Sequence, residues 1–198
     1  MKKVEIIKKT RVYDDFFKID EAMLSHERFD GQMTPVMRRL NFERGDSAAA
    51  LIWNKENKTV ILIDQFRFPT YEKGPGWLTE VVAGVIAKHE EPEKTIHREI
   101  LEETGYDAKK IDYLNTFYVS PGGSSERIFL YYAEVTPNDK VSLGGGVVSE
   151  HEDIRVGEYP WPEVQRMLDA GEIIDAKTII ALMWFKEKAA GIRLSRPD

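Results

Sequence analysis

The 198-residue sequence predicts an α/β (α+β) fold, a mixed β-sheet sandwiched between helices and preceded by an N-terminal β arm. Three observations lead there. Apolar runs of strand length alternate with turn residues through the first two thirds of the chain. One acidic segment in the middle carries helical start and stop signals, and the last third changes to helical spacing.

In chain order, residues 4–7, 16–19 and 33–40 read as short strands separated by polar turns such as Asp30-Gly31. Residues 1–45 have little apolar content of their own, so they are expected to form an arm that packs on the main domain, residues 46–198, or on a second subunit. Residues 48–53 and 60–66 flank the polar turn 54–58 as a β-hairpin, and residues 78–82, 113–119 and 128–135 supply further strands. The end of the chain reads as two helices, residues 162–168 and a longer one that starts after Asp175 as N-cap. The aromatic and Met residues of the latter are expected in the core.

Composition bounds the function. With 42% apolar and 31% charged residues the chain is globular, and its net charge of −6 argues against broad nucleic-acid binding, which needs a surplus of Lys and Arg on one face. The absence of cysteine removes disulfides, thiolate metal sites and a cysteine nucleophile. No apolar run approaches the ~20 residues needed to span a bilayer, and the charged N-terminus is unlike a signal peptide, so a cytoplasmic address is expected.

The most informative segment runs from Gly84 to Tyr106. Residues 81–83 are apolar and strand-like and end at Gly84, which permits close backbone approach; Pro92 suits a first helical turn and Gly105 a left-handed stop. Between them, Glu99, Glu102 and Glu103 share one helix sector, since an α-helix turns about 100° per residue. Arg98 pairs with Glu102 at i+4, which leaves three anions with one cation, a deficit that a hard, oxygen-seeking divalent ion would relieve. Ile96 and Ile100 are available to anchor the helix to the sheet.

The spacing Gly84, five residues, Glu90, seven residues, Arg98-Glu99-Ile100-x-Glu102-Glu103-x-Gly105-Tyr106 resembles the complete Nudix box of nucleoside diphosphate hydrolases. The resemblance implies a Nudix fold and Mg²⁺, with Mn²⁺ as alternative, held by Glu99, Glu103 and the main-chain carbonyl of Ala83, with Glu102 as an additional ligand. It also implies hydrolysis of a diphosphate without a covalent protein intermediate. After the box, the run Gly144-Gly145-Gly146 followed by Glu150, His151, Glu152 and Asp153 reads as a flexible glycine loop that closes to deliver a base. By resemblance to nucleotide-sugar members, Glu150 is expected as base or water-orienting residue and Glu152 as metal ligand, with the two roles open to exchange; His151 is expected to be a bystander.

Outside the box, Ser120-Pro121-Gly122-Gly123-Ser124-Ser125-Glu126-Arg127 looks like the proline-bearing signature of ADP-ribose pyrophosphatases, although Pro-Gly-Gly is also simply a tight turn. The triple glycine and Lys177 are shared with members that cleave GDP-mannose. The resemblance implies a phosphate clamp from Arg67, with Arg38 and Arg39 as candidates for the same role, ribose or base contacts from Glu126, base stacking by Phe16, and a substrate contact from Lys177. It implies a homodimer whose arms complete the partner's site. The leading expectation is hydrolysis of ADP-ribose to AMP and ribose 5-phosphate. GDP-mannose cleavage to GMP and a sugar 1-phosphate is the alternative, and a non-catalytic nucleotide sensor is a third, disfavoured by the intact glutamates.

Overall fold

The computed structural model describes residues 2–147, 149 and 151–191. Two compact units emerge, Met1–Asp46 with Tyr118–Arg127, and Ser47–Phe117 with Ile128–Asp198.

The first unit is built on a three-stranded antiparallel sheet, β1 (Val4–Asp14), β2 (Lys18–His26) and β3 (Met37–Glu43), with β2 in the centre. All three strands are longer or later than the expected pieces. Every residue of β1 is exposed, so polar and apolar residues occur on both of its faces and no alternation marks its length. Phe16, expected within a strand, lies in the bend between β1 and β2 and is 83% exposed. The Asp30-Gly31 turn forms as expected, with Gly31 at φ 82° and Asp30 Oδ1 accepting from Gln32 N at 3.0 Å. Residues 120–123 also turn tightly: Gly123 N donates to Ser120 O at 3.0 Å, and Phe42 N donates to Gly123 O at 2.8 Å.

The second unit is organised by β4 (Ser47–Asn54), which pairs parallel with β9 (Arg127–Val135) and antiparallel with β5 (Thr59–Phe66) and β7 (Val82–Val85). The strand order is β10-β5-β4-β9-β8, with β8 at Lys110–Tyr118, β10 at Ile154–Pro160, and β6 (Trp77–Glu80) added to β5. Because β4 is buried on both faces it reads as a continuous run, Ala48-Ala49-Ala50-Leu51-Ile52, and its alternate residues feed two cores. Ala48, Ala50 and Ile52 join Ile96 and Ile100 of the acidic helix, while Ala49 and Leu51 join Val164 of α3 (Trp161–Asp169) and Leu182 and Phe185 of α4 (Ala176–Ala189). Sheet between helices is the result. In α4 the buried positions are Thr178, Ala181, Leu182 and Phe185, so Met183, at 54% exposed, faces outward and not into the core.

Among the elements that escape the sequence reading are β10, which begins at the end of the expected acidic loop and pairs with β5 from Ile154↔Gln65 to Pro160↔Thr59, and the short α1 (Phe68–Tyr71) after Arg67. Among the described residues no helix is long and apolar enough to cross a membrane.

Candidate active site

The acidic helix is α2 (Pro92–Glu99), with Pro92 in its first turn, continued by a π turn at Ile100–Thr104 and stopped by Gly105 at φ 75°. A π turn widens the backbone from i→i+4 to i→i+5 bonding and recurs at functional sites. The three glutamates do not share one environment. Glu99 and Glu103 are buried on the same side as Ile96 and Ile100, at 9% and 2% exposed, whereas Glu102 stays partly exposed and pairs with Arg98 at 2.7 Å. Arg98 also reaches Glu99 Oε1 at 2.8 Å and Glu90 at 3.9 Å.

Gly84 in β7 makes room for this arrangement: a Cβ there would fall on the Glu99 carboxylate. Its neighbour Ala83 pairs with Ala49 of β4. Burial pushes the Glu103 carboxyl well above its usual range, and the negative charges of Glu99 and Glu152 push it further, against the pull of Arg67 and Lys177. Glu99 is raised for the same first reason, with Arg98 opposing. Glu103 Oε2 is buried with no hydrogen-bond partner. Among the described residues no three His, Asp or Glu side chains converge on a common ligating point in this arrangement. The donor set nonetheless suits a hard divalent cation, since it offers carboxylate oxygens, an unpartnered one among them, in a buried, anion-rich place.

The triple glycine packs against the end of the acidic helix. Gly144, Gly145 and Gly146 adopt φ of 72°, 106° and 85°, and Gly145 N and Gly146 N donate to Glu103 O and Glu102 O at 2.8 and 3.1 Å. The glycines therefore close carbonyls that the helix end leaves unpaired, a place where a Cβ on Gly144 would meet the backbone of Glu103 and Thr104. Lys140 Nζ adds a bond to Thr104 O at 2.6 Å. Beyond the glycines, Glu152 accepts from Val147 N at 2.8 Å, while Glu150 lies outside the described residues. His151 is exposed.

Arg67 and Lys177 meet on a residue that the sequence reading passed over. Glu80, 3% exposed at the end of β6, accepts from Arg67 Nε and from Lys177 Nζ, each at 2.7 Å. Lys177 also reaches Asp175 at 3.1 Å. The available signal was a single charge immediately before the apolar run 81–83, which strand logic alone reads as an outward-facing residue.

The remaining expected residues belong to the first unit. Phe16 packs edge-on against Phe17 with centroids 4.8 Å apart, Arg38 Nε binds Glu21 at 2.5 Å, Arg39 Nη1 donates to Arg38 O at 3.0 Å, and Glu126, 8% exposed, faces Arg44 at 3.6 Å. The second unit thus holds Ala83, Glu99, Glu102, Glu103, Glu152, Arg67 and Lys177.

Comparison with known proteins gives the class. The NUDIX domain family matches residues 43–182, and the chain belongs to that family. It is 37% identical over 185 residues to the GDP-mannose pyrophosphatase of Escherichia coli O139:H28 (strain E24377A / ETEC), covering 92% of this chain and 95% of that one, and equally to the GDP-mannose pyrophosphatase of Shigella sonnei (strain Ss046). A solved structure described as an ADP compounds hydrolase has a TM-score of 0.73 at 20% identity, covering 96% of this chain and 95% of that one, a likeness of fold.

Proposed function

We propose that this protein hydrolyses the diphosphate bond of a nucleoside diphosphate sugar with the help of Mg²⁺ or Mn²⁺. The observation that carries the reading is the buried, partnerless Glu103 Oε2 beside Glu99 and Glu152 on a Nudix-type helix. Glu99, Glu103 and the Ala83 carbonyl, with Glu102 and Glu152, would hold the metal. Bound there, a divalent ion supplies charge neutralisation for the pyrophosphate and lowers the pKa of water.

The chain's own residues do the rest. Arg67 binds Glu80 through Nε, and its two terminal nitrogens have no partner among the described residues, so its fork is free to take phosphate oxygens. Glu150 or Glu152 accepts the proton of the attacking water. Arg38 and Arg39 add to the phosphate clamp and Phe16 stacks on the base, these three through the arm of a homodimer, while Glu126 contacts the ribose or base. Val4, Ile6, Ile7, Val12 and Tyr13, all exposed on β1, support a covering second copy, which light scattering on the eluted protein would test.

For the substrate, 37% identity over nearly the whole of a GDP-mannose pyrophosphatase favours GDP-mannose, while the Ser120–Arg127 segment, with its tight turn, keeps ADP-ribose as the second reading. Release of nucleoside monophosphate from GDP-mannose, ADP-ribose, ADP-glucose and dinucleotides in Mg²⁺ tests both. Higher kcat/KM for GDP-mannose supports the first reading, higher kcat/KM for ADP-ribose the second, and no turnover of any nucleoside diphosphate sugar overturns both.

A further inference from the structure

Glu80 lies 97 residues before Lys177 and 13 after Arg67, and both of its oxygens are engaged by them. Its side chain is 4% exposed, that of Lys177 13% and that of Arg67 35%, so the anion sits beneath and the cations reach outward. A buried carboxylate held by two charged donors is a fixed anchor, since neither its rotamer nor its charge has anywhere else to go. The anchor is reinforced on each side: β6 pairs Glu80 with Ile63 of β5, and the buried Thr178 Oγ1, next to Lys177, accepts from Val81 N, next to Glu80, at 2.9 Å.

Each cation keeps donors to spare. Lys177 Nζ donates to Glu80 and forms an ion pair with Asp175, and Arg67 uses Nε alone. The strand β5, which ends at Phe66 just before Arg67, packs against the turn Ile100–Thr104 that carries Glu103, and this sets the pair beside the acidic helix.

We infer that Glu80 is a positioning residue that fixes Arg67 and Lys177 as one phosphate-binding pair beside Glu99 and Glu103. The inference rests on the diphosphate reading above. Glu80 touches no substrate itself; it orients both cations and prevents Arg67 from folding onto the glutamates that Arg98 already engages. Without it the two cations are free to take separate rotamers, and a diphosphate meets them one at a time.

Glu80→Gln retains the shape and removes the charge. The expected result is a KM for the nucleoside diphosphate sugar raised about tenfold, the worth of a charged hydrogen bond, with kcat within about threefold. In a double-mutant cycle, Glu80→Gln on a Lys177→Met background should add less than about twofold to the loss in kcat/KM, because both changes break one unit. A loss confined to kcat, or losses that multiply independently, overturns the inference. Thermal unfolding of each variant identifies misfolding, and Glu80→Asp, which keeps the charge on a shorter arm, should recover part of the KM. Calorimetric titration with inorganic pyrophosphate gives a readout that does not need turnover. The wild type should bind about tenfold more tightly than Glu80→Gln. Equal affinity, or no binding by the wild type, overturns the pair, whereas pyrophosphate binding without turnover of any sugar nucleotide would overturn the diphosphatase reading and leave the pair standing.

Discussion

Replacing Thr178 by valine asks whether α4 is held on the sheet by polarity or by volume. Thr178 is fully buried, and its Oγ1 accepts from Val81 N at 2.9 Å and donates to Asp175 Oδ2 at 2.5 Å. Valine has almost the same shape, so no cavity opens; one acceptor and one donor are lost. Leaving the Val81 N–H buried without a partner costs about 1–3 kcal/mol. The lost hydroxyl bond adds about 1 kcal/mol, because Asp175 keeps Thr178 N at 2.9 Å and Lys177 Nζ at 3.1 Å. The sum, roughly 2–4 kcal/mol, corresponds to a fall in Tm of about 5–15 °C for a chain of this size. Thr178→Ser keeps both bonds and loses one methyl, for about 1 kcal/mol. Differential scanning calorimetry of the metal-free protein measures both. A valine variant within about 2 °C of wild type, or a serine variant less stable than the valine one, would refute the reasoning.

Three further outcomes are expected. Glu103→Gln should lower turnover by about a hundredfold or more. In EDTA it should raise Tm: a carboxyl raised in the folded state makes the metal-free wild type lose stability as pH climbs above the ordinary value of 4.5, so the advantage of the glutamine variant should grow from acid toward neutral pH, and a constant or shrinking advantage would contradict the burial argument. Gly144→Ala, at φ 72° against the backbone of Glu103 and Thr104, should cost more than about 2 kcal/mol in urea unfolding, whereas Gly122→Ala, whose Cβ meets nothing, should stay within about 0.5 kcal/mol. Glu150→Gln and Glu152→Gln, compared by kcat under saturating Mg²⁺, assign the base: the variant with the larger loss in kcat carries that role, and unchanged kcat in both would exclude the loop as its source.

Much of this structure was legible in residue types whose physics is local. Pro92, Gly105 and Asp175 mark helix ends because a missing N–H, a positive φ and a capping carboxylate act within one turn, and each stands where expected. The β4–β5 hairpin was equally readable, and Asn54 secures its turn by accepting from Glu56 N and Asn57 N at 3.2 Å each. What depends on distant partners was not. The π turn at Ile100–Thr104 comes from backbone bonding that no residue type announces. The glycines at 144–146 looked like flexibility, yet their positive φ serves to bring backbone N–H groups onto the helix end. Glu80 looked like an ordinary strand residue, because Lys177 is 97 positions away. Phe16 was expected within a strand and instead tops an exposed bend.

The most direct test of the central claim is the Mg²⁺ dependence of nucleoside monophosphate release from GDP-mannose and ADP-ribose, comparing wild type with Glu99→Gln and Glu103→Gln. Turnover by the wild type that requires the metal, and that both variants lose even at saturating Mg²⁺, is the predicted result. Metal-independent turnover, or near-normal rates in either variant, would contradict it.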